Sequence, residues 1–420
     1  MVIDVLERSF YPLYLHSNEF KRFVQFQKFI RDTKKGVTLK DFKRIALLGK
    51  GAFGRVVAVM KKDSKSLFAM KEIPKVLLRR KRSCWMVKNE KAALSKMRSP
   101  FVLGLNYAFQ SRGGVHLVFE MCTGGNLRQY LEKEGPLRLA HAQFYTAEVL
   151  LGLEHIHSQG YIYRDLKPSN VLLTEAGHCK IADLGLVIEQ SEACAVAASD
   201  QRRLEAGTPG YWSPEVMSGG VQRCASDFWS LGVLAYNMLF AKDRVARKDT
   251  AHKHVVATVE IPEGVDEKAK DFLLRLLTVD QAKRMGAKGA EEIKSHSFLN
   301  RVSWGKLAQL EIAPPFTPKE EPLTLVSDFT CRKFPPVLRE TMKERETFAA
   351  CRFKNEYERV EEIVNALRYE KTRSKCVEEI ENTYGDEKIT STKAKRRVYP
   401  KLRILHLDNR VLRKNTAFYH

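Results

Sequence analysis

The segment YRDLKPSN, Tyr163–Asn170, places an Asp, a Lys and an Asn within six positions, and a second Asp opens the triplet DLG, Asp183–Gly185, thirteen residues further on. Those side chains suit phosphoryl transfer. That reaction needs a carboxylate to orient the attacking hydroxyl, oxygen ligands for Mg²⁺, and fixed positive charge around the phosphates. On this chemistry Asp165 is the hydroxyl-orienting base, Lys167 a phosphate contact, and Asn170 and Asp183 the metal ligands. A lone DLG is a chance pattern, and two isolated acids are as readily loop surface charge, so the weight rests on the elements around them.

The strand–loop–strand run FKRIALLGKGAFGRVVAVMKK, from Phe42, carries GxGxxGxV at Gly49, Gly51, Gly54 and Val56. Glycines let a backbone fold closely over phosphates and turn its N–H groups toward them. The same spacing also marks dinucleotide sites, but there the loop opens a helix, whereas RVVAVM here reads as a strand. Phe53 at the tip shields the phosphates. The next strand, FAMKEI, offers Lys71 as a phosphate-pairing lysine. Val76–Met97 reads as one very basic helix carrying Glu90, the expected ion-pair partner of Lys71, although Glu90 could also balance its neighbours Lys88 and Lys91.

Strands are predicted at Leu103–Phe109 and Val115–Phe119 around the turn SRGG, followed by the connector FEMCTGGN. From Leu127 on the chain is mostly helical, with a wide apolar stripe of Phe144, Ala147, Leu150, Leu151, Leu153 and Ile156. Strand-rich then helix-rich order implies an α+β fold of two lobes with the catalytic segment at their junction.

Composition narrows the class. Over 420 residues, 44% are hydrophobic and 29% charged, as in a soluble globular chain long enough for two or three domains. The 8 cysteines show no CxxC or CxxH pairing, which argues for a reducing compartment and against both a disulfide scaffold and a zinc site. No apolar run reaches the roughly 18 residues of a membrane span, and the N-terminus lacks the order of a secretory signal. A cytoplasmic location is therefore expected. A net charge of +22 favours polyanionic partners such as an anionic membrane surface or an acidic protein face, while no nucleic-acid motif accompanies it.

The motif set Gly49–Gly54, Lys71, Glu90, Asp165–Asn170, Asp183–Gly185, Pro214–Glu215, Asp227 and Arg284 resembles that of eukaryotic protein kinases in its complete order, over roughly residues 42 to 300. The resemblance implies a bilobal protein kinase fold that binds ATP and Mg²⁺ and transfers phosphate to serine or threonine of a protein substrate. It places Val56, Ala69, Phe119, Leu172 and Asn126 around the nucleotide, with Glu120 and Cys122 supplying hinge backbone groups to adenine. It makes Arg284 the buried partner of Glu215, Asp227 the brace of the catalytic loop, and Thr208 a support for serine/threonine specificity beside Lys167.

YRD in place of HRD, VDQAKRMG and SHSFLNRVSW resemble the cyclic-nucleotide-dependent (AGC) group. The stretches DLGL, LGLEHIHSQGYIYRDLKPSN, SNEFKRFVQFQKF and FPPVLRETMKERETF are similar to the G-protein-coupled receptor kinases of the beta-adrenergic-receptor-kinase type. That likeness implies an activated receptor as substrate, peripheral contact with the plasma membrane, and flanks that resemble part of a regulator-of-G-protein-signalling (RGS) homology bundle.

The expected layout is a helical flank at 1–40, a kinase domain at 41–300, a short C-terminal extension at 301–338, a returning helical segment at 339–385, and a basic tail at 386–420. The flank carries the stripe Phe20, Phe23, Phe26 and Phe29. In the tail, Val398–Leu412 resembles the start of a pleckstrin-homology domain that is too short to be complete.

Three departures from the group bear on function. Asn126 stands where the group carries a carboxylate beside the ribose and basic substrate residues. Leu204, three before Gly207, stands where loop-activated relatives carry Thr, which implies activation by something other than a phosphate there. The stretch from Pro314 to Pro335 lacks the acidic, aromatic tether of the group. Two rivals remain open: a basophilic kinase of the same group with cytosolic substrates, and a catalytically impaired kinase-fold scaffold. Oligomeric state is not legible in the sequence.

Overall fold

The computed structural model describes residues 37–51, 54–80, 83–193, 206–241, 261–318 and 353–354. Phe53, Leu204, the N-terminal Phe stripe, most of the stretch to Pro335, and, apart from Phe353 and Lys354, the RGS-like and pleckstrin-like segments lie outside the described residues. The chain forms two compact units, one of residues 1–43, 60–67 and 356–420, the other of 44–59 and 68–355. In the first, Thr38 and Asp41 cap a short 3-10 turn, and buried Lys61 pairs with Asp63 at 2.6 Å.

Strands β1 (Phe42–Gly51), β2 (Gly54–Lys61) and β3 (Leu67–Pro74) are followed by helices α1 (Lys75–Arg80) and α2 (Cys84–Lys96), and then by β4 (Leu105–Gln110) and β5 (Gly114–Phe119). They build a sheet of order β1-β2-β3-β5-β4-β10, where β10 is Phe353–Lys354. β3 shows how its sequence suits this place. Side chains alternate between faces, so Phe68, Met70 and Glu72 are buried on one face, while Lys71 between them turns to the other.

The basic stretch expected to form one helix is two. Its first part ends at Arg80, and the Ser83 N–H donates to the Leu78 carbonyl at 2.9 Å before α2 begins. Phe353 and Lys354, inside the segment expected to be helical, instead pair antiparallel with Ala108 and Tyr107 of β4. An edge strand offers unpaired backbone groups to such an addition.

The helical part contains α3 (Leu127–Glu134), α4 (Leu139–Ser158), α5 (Pro214–Met217), α6 (Cys224–Phe240), α7 (Glu267–Leu276), α8 (Ala290–Lys294) and α9 (Trp304–Ala308). Between α4 and α5 run the short strands β6 (Tyr161–Ile162), β7 (Val171–Leu173), β8 (Cys179–Ile181) and β9 (Ile188–Glu189). β6 pairs with β9 and β7 with β8, which sets the catalytic segment and DLG side by side. Helix α6 is buried on nearly every side, the mark of a central helix. It packs with Tyr145, Leu150, Leu153 and Ile156 of α4 and Phe272 and Leu276 of α7 in one apolar core. Among the described residues no helix is long and apolar enough to cross a membrane.

Candidate active site

The catalytic segment leaves β6 under strain. Arg164 holds φ +74° and Asp183 φ +55°, left-handed values that non-glycine residues adopt only where surroundings impose them. At Arg164 the imposing group is Asp227, buried at the start of α6. Its carboxylate accepts the backbone N–H groups of Tyr163 at 2.8 Å and Arg164 at 2.7 Å. The Tyr163 hydroxyl donates to the Ala182 carbonyl at 2.6 Å, and the Arg164 Nε to the Leu186 carbonyl at 2.7 Å, tying both strained turns together.

Around Asp165 the side chains form a closed set. Thr208 Oγ1 donates to Asp165 Oδ1 at 2.6 Å, Lys167 Nζ reaches Asp165 Oδ2 at 2.7 Å, and the same Nζ reaches Thr208 Oγ1 at 2.6 Å. Asn170 Nδ2 donates to the Asp165 carbonyl and to Oδ2, both at 2.9 Å, which turns the Asn170 amide oxygen the other way. Gly207, beside Thr208, holds φ +121°, and a Cβ there would lie 2.6 Å from the Arg164 carbonyl, so only glycine lets this segment close on the catalytic loop.

The second cluster joins the lobes. Lys71 Nζ lies 2.8 Å from Glu90 Oε1 and 2.7 Å from Asp183 Oδ1. Burial acts to lower the Lys71 value, yet Asp183 and Glu90 outweigh it and hold the ammonium well above its usual range. The Asp183 carboxyl is lowered, chiefly by Lys71. Burial pushes Glu90 up to about 6 against the pull of Lys71, so at neutral pH all three groups are charged.

The nucleotide-side residues are partly engaged. Phe119 is buried at the end of β5. The Glu120 N–H donates to the Gly104 carbonyl at 3.2 Å, and its carboxylate accepts from Gly104 N at 2.7 Å and Lys180 Nζ at 2.9 Å. An adenine would therefore meet its carbonyl rather than its N–H. Burial pushes the Cys122 thiol up to about 12, which keeps it protonated. Asn126 caps α3, its Oδ1 accepting from Gln129 N at 3.0 Å, and bridges to Leu172 through the backbone. Val56 and Ala69 lie half-buried in β2 and β3, and a Cβ on Gly49 or Gly51 would meet nothing within 4 Å.

At the far end of the segment, buried Arg284 donates to Glu215 from Nη1 at 2.7 Å and Nη2 at 2.8 Å. Burial opposes ionisation of Glu215, but Arg284 prevails and holds its carboxyl below the usual range. Sequence reasoning overlooked two supports. His157 donates from Nε2 to Asp227 at 2.7 Å, and Lys180 clamps Glu120. The pair of histidines before YRD was the available signal for the first; the second had none.

No group of three or more His, Cys, Asp or Glu that could hold a metal occurs among the described residues. The oxygens of Asp183, 52% exposed, together with the Asn170 amide oxygen still suit Mg²⁺, which takes one or two protein oxygens and completes its shell with water and phosphate.

The description "protein kinase domain" matches residues 42–299. A probable serine/threonine-protein kinase of Dictyostelium discoideum is 36% identical over 296 residues, covering 70% of this chain and 64% of its own. Serine/threonine-protein kinase gad8 of Schizosaccharomyces pombe is 36% identical over 298 residues, covering 70% and 51%. Serine/threonine-protein kinase YPK1 of Saccharomyces cerevisiae is 36% identical over 289 residues, covering 68% and 42%. The chain thus spans about half the length of the curated relatives it matches.

Proposed function

The chain belongs to the protein kinase family, and from that premise we propose that it is an ATP-dependent serine/threonine protein kinase of the AGC group, acting on protein hydroxyls. The carrying observation is the closed set of Asp165, Lys167 and Thr208. Asp165 orients the substrate hydroxyl and accepts its proton. Lys167, already within reach of that carboxylate, stabilises charge on the transferring phosphoryl group. Thr208 holds both. Lys71, positioned by Glu90, contacts the nucleotide phosphates under the glycine-rich loop. Asn170 and Asp183 would hold Mg²⁺, which neutralises phosphate charge when bound.

The test is magnesium-dependent incorporation of labelled phosphate into casein. Incorporation that survives Asp165→Asn undiminished would sink the reading, and its absence from the wild type would leave a kinase-fold scaffold.

A second reading, the receptor-kinase type, is favoured by Leu204 and by the flanks SNEFKRFVQFQKF and FPPVLRETMKERETF. It places the protein in the cytoplasm and peripherally at anionic membrane, with an activated receptor as substrate and RGS-like helices on either side of the kinase. A peptide array decides between the readings: strong selection for Arg upstream of the target supports the basophilic reading, and its absence together with receptor phosphorylation supports the second.

A further inference from the structure

The face of the sheet opposite Lys71 carries a buried charge that no step above uses. Glu72 follows Lys71 on β3 and, by strand alternation, points to the opposite face. It is fully buried, and two arginines hold it. From β1, Arg44 donates through Nε to Glu72 Oε1 at 2.9 Å and also through Nη2. From β2, Arg55 donates through Nε to Oε2 at 2.6 Å. These arginines lie on the two strands that the glycine-rich loop connects, and Arg55 is the residue directly after Gly54.

The backbone repeats the arrangement. A Cβ on Gly54 would lie 2.1 Å from the Glu72 carbonyl oxygen, so the end of the loop rests on the Glu72 main chain while Arg55 grips its side chain. Across the sheet His116, paired with Glu72 in register, stands 3.8 Å from Oε1 and stacks on Phe109. Burial lowers His116 to about 4, so it is neutral at pH 7, and among the described residues the two arginines are the cations paired with the carboxylate.

We propose that Glu72 is a positioning residue for ATP: by holding Arg44 and Arg55 it fixes the two strands that end in Gly51 and begin at Gly54, and so sets where the ends of the glycine-rich loop stand relative to Lys71, its own neighbour in the chain. One residue sets the phosphate contact on one face of β3, and the next holds, from the other, the strand ends from which the loop springs. The idea rests on the kinase reading for its consequence in turnover, and on geometry alone for its consequence in nucleotide binding.

The test uses the full chain as wild type, Glu72→Ala, Arg55→Ala and the double variant, each assayed well below its own melting temperature. A fluorescent ATP analogue gives Kd, and casein phosphorylation gives both KM values. Glu72→Ala is expected to raise Kd and the ATP KM about tenfold while the casein KM stays within about twofold, a split that a merely less stable fold would not produce. The double variant is expected to match Glu72→Ala, because both changes break one brace.

An ATP KM and Kd unchanged in Glu72→Ala, or strictly additive effects in the double variant, would overturn the proposal. Should Glu72→Ala fail to fold, Arg55→Ala, which removes a partly exposed arm, decides by the same Kd. Wild type that binds the analogue without transferring phosphate refutes the kinase reading and leaves the brace to be judged from Kd. Wild type that does not bind refutes both.

Discussion

Lys71 bonds Asp183 at 2.7 Å, joining residues 112 positions apart, one on the strand-rich side of the site and one on the helical side. The same ammonium holds Glu90 at 2.8 Å, so a single cation stands between two carboxylates. Removing it does two things. It takes away the positive charge meant for the phosphates, and it leaves two acids facing each other across the site. Lys71→Met is therefore expected to reduce phosphate incorporation at least ~10³-fold through lost positioning and charge stabilisation. Glu90→Gln keeps Lys71 and its Asp183 contact, and a smaller loss of about 10- to 100-fold is expected in the same assay. Equal activity in Lys71→Met and wild type would remove Lys71 from the chemistry.

Glu90 also sets a pH dependence. Its carboxyl is raised by burial to about 6, so lowering the pH through 6 protonates it and frees Lys71 from that side. Activity should fall along this acidic limb. Stability moves the other way for this group alone, because a carboxyl raised above its unfolded value of 4.5 binds its proton more readily folded than unfolded. The ionised form is the costly one, and the cost is relieved as pH falls from above 6 toward 4.5. Rate against pH between 5 and 8, with melting temperature recorded beside it, separates the two effects. A wild-type limb that persists unchanged in Glu90→Gln would assign it to another group.

These relationships differ in how far the sequence discloses them. Lys71, Glu90, Asp165 and Asp183 are legible because phosphoryl transfer demands particular residue types at short, recurring spacings around glycine and strand signals. The clamp of Lys180 on Glu120 and the brace of Glu72 by Arg44 and Arg55 are not, since strand register decides which of many surface-like charges become neighbours. The break at Ser83 was hidden for another reason: the basic run around it contains neither Gly nor Pro, and only the packing of Leu78 and Val87 on the core shows that two helices replace one. Asn126 reads in sequence as a departure beside the nucleotide, and in the fold it also caps a helix.

His157 gives the alkaline counterpart. Burial would lower its imidazole, but the bond to Asp227, with help from Cys224, raises it to about 9. A histidine raised above its unfolded 6.5 contributes stability that is fully present below 6.5 and is lost as pH climbs through 9. The melting temperature should therefore decline between pH 7 and 9.5, and His157→Phe should start lower and decline less. A variant that retains the full wild-type slope would show that the imidazole is not the titrating group.

Arg284 and Glu215 offer the sharpest stability test. Arg284 is wholly buried and its guanidinium meets Glu215 with two parallel bonds, while Ser226 and Gln281 add bonds to the same carboxylate at 2.7 and 3.0 Å. Arg284→Ala leaves an acid enclosed without its cation, and removal of one partner from a buried pair costs about 3–5 kcal/mol. Arg284→Lys restores charge but not the fork, and so should recover only part of the loss. Replacing both partners by apolar side chains, Arg284→Met with Glu215→Leu, removes the stranded charge and should cost less than Arg284→Ala alone. Urea denaturation with a constant m-value reads all three. A cost below about 1 kcal/mol for Arg284→Ala, the level of an exposed ion pair, would mean that water reaches Glu215 and that the end of the segment is anchored elsewhere.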